Sequence, residues 1–189
     1  MIYIDIDGVL ADSDGYLQTK DSRAMDDTHL LFKTIYKYHK TVFKESNPLV
    51  DLSFLIELDD FMLLSALPNR QNIDSFCATE AETNKVMYTL EENKKDWINK
   101  NIGPNCKFAI VSATTDKIKY CLSAEDILID DNKKTGKRWQ EKGGKWFPSV
   151  EKFLSGDSSS KKERKVKNIE VKVESTKNNS NAGYAVDLW

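Results

Sequence analysis

The 189-residue sequence has few cysteines and prolines and no long apolar run. Its three cysteines, Cys77, Cys106 and Cys121, form no Cys-x-x-Cys pair, which argues against a disulfide framework and against a cysteine zinc site. No stretch approaches the roughly 18 to 20 consecutive apolar residues of a membrane-spanning helix, so we expect no membrane partner. The net charge of −2 provides no general basic field to recruit nucleic acid.

The composition is that of an ordinary globular domain. Hydrophobic residues make up 40% of the chain and charged residues 31%, which is enough apolar surface for a core without disulfide support. The first seven residues contain two acids and no basic residue, unlike a secretory signal peptide. We therefore expect a cytoplasmic protein with reduced cysteines.

Short apolar runs alternate with longer helical stretches along the first 150 residues. Such alternation predicts an α/β fold, with a Rossmann-like parallel sheet covered by helices on both faces. Gly103-Pro104 ends the longest helical stretch. The predicted strands are 1–4, 61–64, 108–111 and 127–129, with a short fifth beginning at Trp146, and the predicted helices are 28–45, 51–59 and 80–100.

Polar residues stand where several of these strands end. Asp5, Ser65, Ser112 and Asp130 each follow an apolar run directly. Ligands of open α/β sheets bind at the carboxyl ends of the strands, so these side chains are candidates for one site. Acids that converge there repel one another unless a cation is bound, and Mg²⁺ prefers oxygen ligands.

The order of these motifs resembles that of the haloacid dehalogenase superfamily of phosphotransferases. The matching elements are the strand ending in Asp5-Ile6-Asp7-Gly8-Val9-Leu10, the strand ending in Ser65, a lysine on a following helix, and the acidic pair Asp130-Asp131 after a later strand. The resemblance covers about residues 1–154. It implies a catalytic core of 1–13 and 61–154, with 14–60 inserted after the first strand as a small helical cap.

The resemblance also implies residue roles. Asp5 would be the nucleophile that forms an aspartyl-phosphate, and Asp7 the general acid and base. Mg²⁺ would be bound by the Asp5 carboxylate, the Asp7 backbone carbonyl and Asp130, with Asp131 as a further ligand or a support for the ligands.

The phosphoryl group would be bound by Ser65, the backbone amide of Ala66 and a lysine. The pattern Lys94-Lys95-Asp96-Trp97 leaves two lysines open, and its likeness to the Lys-x-x-Trp of 5′(3′)-deoxyribonucleotidases selects Lys94. Arg70 and Lys117 are further candidates for phosphate contacts.

The same subgroup suggests the substrate. We expect a Mg²⁺-dependent phosphomonoesterase, a hydrolase acting on a small phosphorylated molecule such as a nucleoside or deoxynucleoside monophosphate. Aromatic residues of the insertion either stack on a nucleobase or pack within its own core. The alternatives are a phosphatase of a nucleic-acid 3′ end, a sugar phosphate or a nucleotide-derived signalling molecule, and a module that binds a phosphorylated ligand without turnover.

Residues 155–189 form a separate Ser- and Lys-rich extension. Within 157–181 there are seven basic and four acidic residues, a balance of +3. Alternation of Ile169, Val171 and Val173 with charges suggests one strand, and the remainder has the composition of a flexible segment. The positive balance makes a nucleic-acid partner possible, though it is not the favoured one.

Overall fold

The computed structural model of the chain describes residues 1–156, and its centre is a five-stranded parallel sheet. The strand order is β3-β2-β1-β4-β5, so the first strand lies in the middle. The α/β class and the parallel sheet predicted from the sequence are confirmed. The strands are β1 Ile2–Ile4, β2 Phe61–Ala66, β3 Phe108–Val111, β4 Ile127–Ile129 and β5 Lys145–Phe147.

Helices connect the strands. Each connection between neighbouring parallel strands must return the chain to the other end of the sheet, and helical segments do this here. The α-helices are α1 Ser13–Lys20, α2 Thr28–Lys37, α3 Arg70–Asp74, α4 Glu80–Asn101, α5 Lys133–Glu141 and α6 Val150–Leu154, and two 3₁₀ helices span Leu52–Glu57 and Thr114–Tyr120.

The sheet is buried on both faces, as the continuous apolar character of its strands requires. Ile4 of β1 contributes to a cluster that includes Trp97 and Ile98 of α4. The neighbouring Tyr3 points into a second cluster with Trp139 of α5, whose ring lies edge-on with its centroid 5.4 Å from that of the tyrosine. This alternation along one strand places helices on opposite sides of the sheet.

Some helix boundaries differ from the prediction. The helix predicted over 28–45 ends at Lys37, and the following turns continue to Glu45. The helix predicted over 51–59 is the 3₁₀ helix Leu52–Glu57, where the Asp51 side chain accepts a hydrogen bond from the Ser53 amide. The long helix predicted over 80–100 is α4, capped at its start by Thr79.

Residues 14–60 share a hydrophobic cluster with α3 and α4, and residues 1–156 lie within one compact unit. The role of 14–60 as a cap stays a prediction. The strand suggested around Ile169–Val173 and the rest of the extension lie outside the described residues. Among residues 1–156, no helix combines the length and apolar character required to span a membrane.

Candidate functional site

The ends of β1 and β4 bring two buried aspartates together. The Asp5 amide donates to the Ile129 carbonyl at 2.9 Å, and the Asp130 amide donates to the Phe147 carbonyl at 3.0 Å. These bonds extend the parallel ladder by one residue on each strand. Asp5 and Asp130 therefore lie at the carboxyl edge of the sheet because β1 and β4 are neighbours.

Lys117 joins the two carboxylates. Its ammonium nitrogen lies 2.6 Å from Asp5 Oδ2 and 2.8 Å from Asp130 Oδ2, and its side chain is almost completely buried. The residue is carried by the 3₁₀ helix that follows β3. A buried ammonium and buried carboxylates are each unfavourable alone, so this arrangement stabilises all three groups.

A second group of polar side chains lies around Asp7. Lys94 of α4 donates to Asp7 Oδ2 and to Ser65 Oγ, the latter at 3.0 Å, and its side chain is fully buried. Ser65 Oγ donates in turn to Asp7 Oδ2 at 3.1 Å. Residues distant in sequence therefore meet at the end of β2, the neighbour of β1 on the other side.

The other oxygen of Asp7 has no hydrogen-bond partner in the part of the chain that the structure describes. Asp7 Oδ1 is buried and has no hydrogen-bond partner within residues 1–156. Buried polar atoms in proteins are nearly always paired, so an orphaned carboxylate oxygen beside a lysine and a serine calls for a partner beyond these residues. A bound ligand could supply such a partner.

Asp131 completes the acidic edge, and Gly8 makes room for it. Gly8 has a positive φ of 71°, and a Cβ atom there would lie 2.4 Å from Asp131 Oδ2. Only glycine tolerates both the conformation and the close approach. The Asp-x-Asp-Gly turn thus allows the carboxylate of a different loop to come near Asp5 and Asp7.

Burial and mutual repulsion perturb the acids. Burial raises the pKa of Asp5 to about 7, against the attraction of Lys117 and together with repulsion from Asp130 and Asp7. The pKa of Asp131 is raised to about 6, by burial first and then by Asp130 and Asp14. Such shifted carboxyl groups, clustered at a strand edge, are typical of functional sites.

The pKa of Lys117, which lies between Asp5 and Asp130, is also raised. Burial alone would lower the pKa of Lys117, but the adjacent carboxylates of Asp5 and Asp130 outweigh burial and raise it. The ammonium therefore stays charged at neutral pH. A permanent positive charge beside Asp5 is suited to attract an anion to that carboxylate.

The donor set fits a hard divalent cation. Carboxylate oxygens of Asp5, Asp130 and Asp131 all lie within 4.8 Å of one another. Within residues 1–156 the four aspartates Asp5, Asp7, Asp130 and Asp131 are accompanied by two lysines, Lys94 and Lys117, so full ionisation of the acids would leave two negative charges in excess. Oxygen ligands and an excess of that size suit Mg²⁺.

The two adjacent lysines between which the sequence could not decide have different surroundings in the structure. Lys94 points into the site, whereas Lys95 lies on the outer side of α4 and pairs with Glu91 and Glu92, each at 2.8 Å. These glutamates raise the pKa of Lys95. Ala66 is the last residue of β2, next to Ser65, so its amide remains a predicted phosphate contact.

Lys117 and Asp14 interact with the acids of the site more directly than the sequence alone indicated. Lys117 was only one of several candidate phosphate contacts, because nothing in its local sequence marks it, yet it touches Asp5 directly. Arg70, the other such candidate, instead faces Glu80 at 3.8 Å. Asp14 had no sequence signal; burial, together with Asp7 and Asp12, raises its pKa.

Comparison with protein-family models finds none that matches the chain, and a search of the curated proteins finds no similar one.

Proposed function

We propose that this protein is a metal-dependent phosphomonoesterase that uses Asp5 as its nucleophile. The observation that carries the proposal is the pairing of Asp5 with Lys117 beside a second cluster of Asp7, Ser65 and Lys94. One carboxylate is available to attack, another is available to transfer a proton, and two ammonium groups can receive phosphoryl oxygens. A site for binding alone does not require both acids.

Asp5 would attack phosphorus and form an aspartyl-phosphate, as the bond to the leaving oxygen breaks. Asp7 in its protonated form would donate its proton to that oxygen, and its unpaired Oδ1 is the candidate atom. Asp7, now a carboxylate, would then take a proton from the water that attacks the acyl phosphate. Hydrolysis regenerates Asp5 and releases inorganic phosphate.

Ser65, Lys94 and Lys117 would bind the non-bridging oxygens of the phosphoryl group. Their charge and hydrogen-bond donors are already fixed in a buried site, so little reorganisation is needed as charge shifts in the transition state. Lys117 also touches the attacking carboxylate of Asp5. The same ammonium group would therefore contact both the nucleophile and the phosphoryl group.

Asp5, Asp130 and Asp131 would hold the metal, with the Asp7 backbone carbonyl as a further ligand by resemblance to the haloacid dehalogenase superfamily. When bound, Mg²⁺ would supply Lewis-acid stabilisation of the phosphoryl oxygens and screen the acids from the incoming anion. The excess of two negative charges that full ionisation of the acids would leave in the site supports this assignment.

For the substrate we propose a nucleoside or deoxynucleoside monophosphate. Support comes from the motif resemblance. The insertion also reaches the site, since the Phe43 ring centroid lies 3.9 Å from the Lys94 ammonium nitrogen. This brings the insertion directly to the phosphate-binding side of the site.

Phosphate release from nucleoside monophosphates, sugar phosphates and 3′-phosphorylated oligonucleotides would test the proposal, with Mg²⁺ and with EDTA. We expect metal-dependent release, strongest for nucleotides, that Asp5→Asn lowers by at least about 10³-fold because the nucleophile is lost. Asp126→Asn is the matched control, because Asp126 is also buried but precedes β4 at the opposite edge of the sheet. Release that persists in Asp5→Asn would refute the assignment.

A further inference from the structure

Residues 39–46, between α2 and the 3₁₀ helix at Leu52, are fastened to one turn of α4. The Asn93 side-chain amide donates to the His39 carbonyl at 2.6 Å, and the Trp97 indole donates to the Ser46 carbonyl at 2.8 Å. Both donors are buried residues of α4. The two bonds fix both ends of this eight-residue segment. Their donors, Asn93 and Trp97, lie before and after Lys94 along α4.

Between these two bonds, the segment presents Phe43 to Lys94. The Phe43 ring centroid lies 3.9 Å from the Lys94 ammonium nitrogen, and the ring itself is buried. The ammonium is therefore bounded by the Asp7 carboxylate, the Ser65 hydroxyl and an aromatic face. Cation–π contacts of this kind are strongest where water is excluded, as it is here.

We propose that Phe43 is a positioning residue that holds the Lys94 ammonium in place to bind the phosphoryl group. The inference rests on the proposed function, since it assigns Phe43 to the same site. It makes residues 39–46 a structural part of the phosphate-binding side.

The choice of an aromatic group has a physical reason. A carboxylate at the same place would attract the ammonium more strongly, but it would also take one of its three N–H donors and cancel its charge. An aromatic face stabilises the cation and leaves its charge in place. Asp7 and Ser65 already accept from the ammonium, so the remaining capacity matters for an incoming phosphate.

The test compares Phe43→Leu, which removes the ring and keeps an apolar side chain, with Phe43→Tyr, which keeps the ring. Ile35→Val is the packing control, because Ile35 is buried in the same cluster and has no role in the site. Binding of inorganic phosphate with Mg²⁺ is measured by calorimetry, and KM and kcat are measured on the best nucleotide. Lysine-labelled protein gives the NMR signal of the Lys94 ε-methylene, assigned by its loss in Lys94→Gln.

We expect Phe43→Leu to weaken phosphate binding and to raise KM by about 5- to 30-fold, the range of a desolvated cation–π contact. The effect on kcat should be smaller, because the bound substrate and the transition state share the phosphoryl contact. The upfield ring-current shift of the Lys94 signal should disappear in Phe43→Leu alone. Phe43→Tyr and Ile35→Val should bind phosphate as the wild type does.

Three results would overturn the inference: unchanged phosphate affinity in Phe43→Leu, equal losses in Phe43→Tyr, or equal losses in Ile35→Val. Phosphate binding does not require turnover. If the wild type binds phosphate but releases none from any substrate, the proposed hydrolysis fails while the role of Phe43 is still decided by the binding data.

Discussion

At the scale of single residues, the site is a balance of buried charges with two distinct lysines. Lys117 faces Asp5 and Asp130, whereas Lys94 faces Asp7 and Ser65. The first lysine stands beside the proposed nucleophile and the second beside the proposed acid. Each ammonium therefore offsets a different carboxylate, and losing one should not be compensated by the other.

Replacing Lys117 by methionine tests the first of these lysines. The variant leaves the carboxylates of Asp5 and Asp130 buried without a counter-charge, which costs about 3–5 kcal/mol when one partner of a buried pair is removed. We expect this loss in the free energy of unfolding, measured by urea denaturation in EDTA. In Mg²⁺ the deficit should shrink, because a bound cation also offsets the two carboxylates.

Lys119→Met is the matched control for that experiment. Lys119 lies two residues further on, is mostly exposed and pairs with Asp116 at the surface, so its loss should change stability by less than about 1 kcal/mol. If Lys117→Met is as stable as Lys119→Met in EDTA, the buried pairing does not stabilise the protein.

At the scale of secondary-structure elements, strands were easier to predict than helices. β1, β3 and β4 are short apolar runs followed directly by a polar residue such as Asp5 or Asp130, so composition alone indicates their positions. α5 has no such signal: it is polar, contains Gly136, and buries only Thr135, Gly136 and Trp139. The apolar residues that its Trp139 packs against come from other elements of the fold, and the local sequence does not show them.

The contents of the site follow the same division. Asp5, Asp7, Ser65 and Asp130 were predictable because each lies at or just after a strand end, and parallel strands meet at one edge. Lys117 is only one of two further candidates, beside Arg70, because its 3₁₀ helix has no strong pattern and its contacts depend on how β3 connects to β4. Local residue spacing predicts where strands end, but it does not predict contacts between residues that are distant in sequence.

Gly136 in α5 provides a prediction about this element. A Cβ atom at Gly136 would lie 2.1 Å from the Trp146 ring, and Trp146 donates its indole N–H to the Asp130 carbonyl at 2.6 Å. Gly136→Ala should therefore destabilise the protein by about 1–3 kcal/mol through overpacking, although alanine favours helices. Displacement of Trp146 should also disturb Asp130 and weaken metal binding.

Thermal unfolding and a Mg²⁺ titration measure these two effects. Lys137→Ala is the control, because Lys137 is exposed on the same helix and its replacement also introduces alanine. A Gly136→Ala protein as stable as the wild type would show that Trp146 can move without loss, and that α5 does not constrain the site.

At the scale of the whole molecule, the site brings together residues that are far apart in the described chain. The middle three strands of the sheet supply Asp5, Ser65 and Asp130 at or next to their carboxyl ends, and helical segments supply Lys94 and Lys117. Charges collected in this way are stabilising only when they balance. The unfolded chain has no such concentration of acids, so a cation that neutralises the excess should favour the folded state.

We therefore expect Mg²⁺ to raise the melting temperature of the wild-type protein. A ligand at 100 times its dissociation constant contributes about 2.7 kcal/mol, which corresponds to several degrees for a protein of this size. NaCl at matched ionic strength should have no such effect. Differential scanning calorimetry at several Mg²⁺ concentrations gives the shift and its dependence on concentration.

Two aspartates at opposite ends of β4 make this test specific. Asp130 follows the strand and belongs to the acidic edge, whereas Asp126 precedes it and accepts hydrogen bonds from the Leu122 and Ser123 amides. Asp130→Asn should abolish the Mg²⁺ shift. Asp126→Asn should lower the starting melting temperature and retain the full shift. Loss of the shift in both variants would mean that Mg²⁺ stabilises the fold without binding at the carboxyl edge.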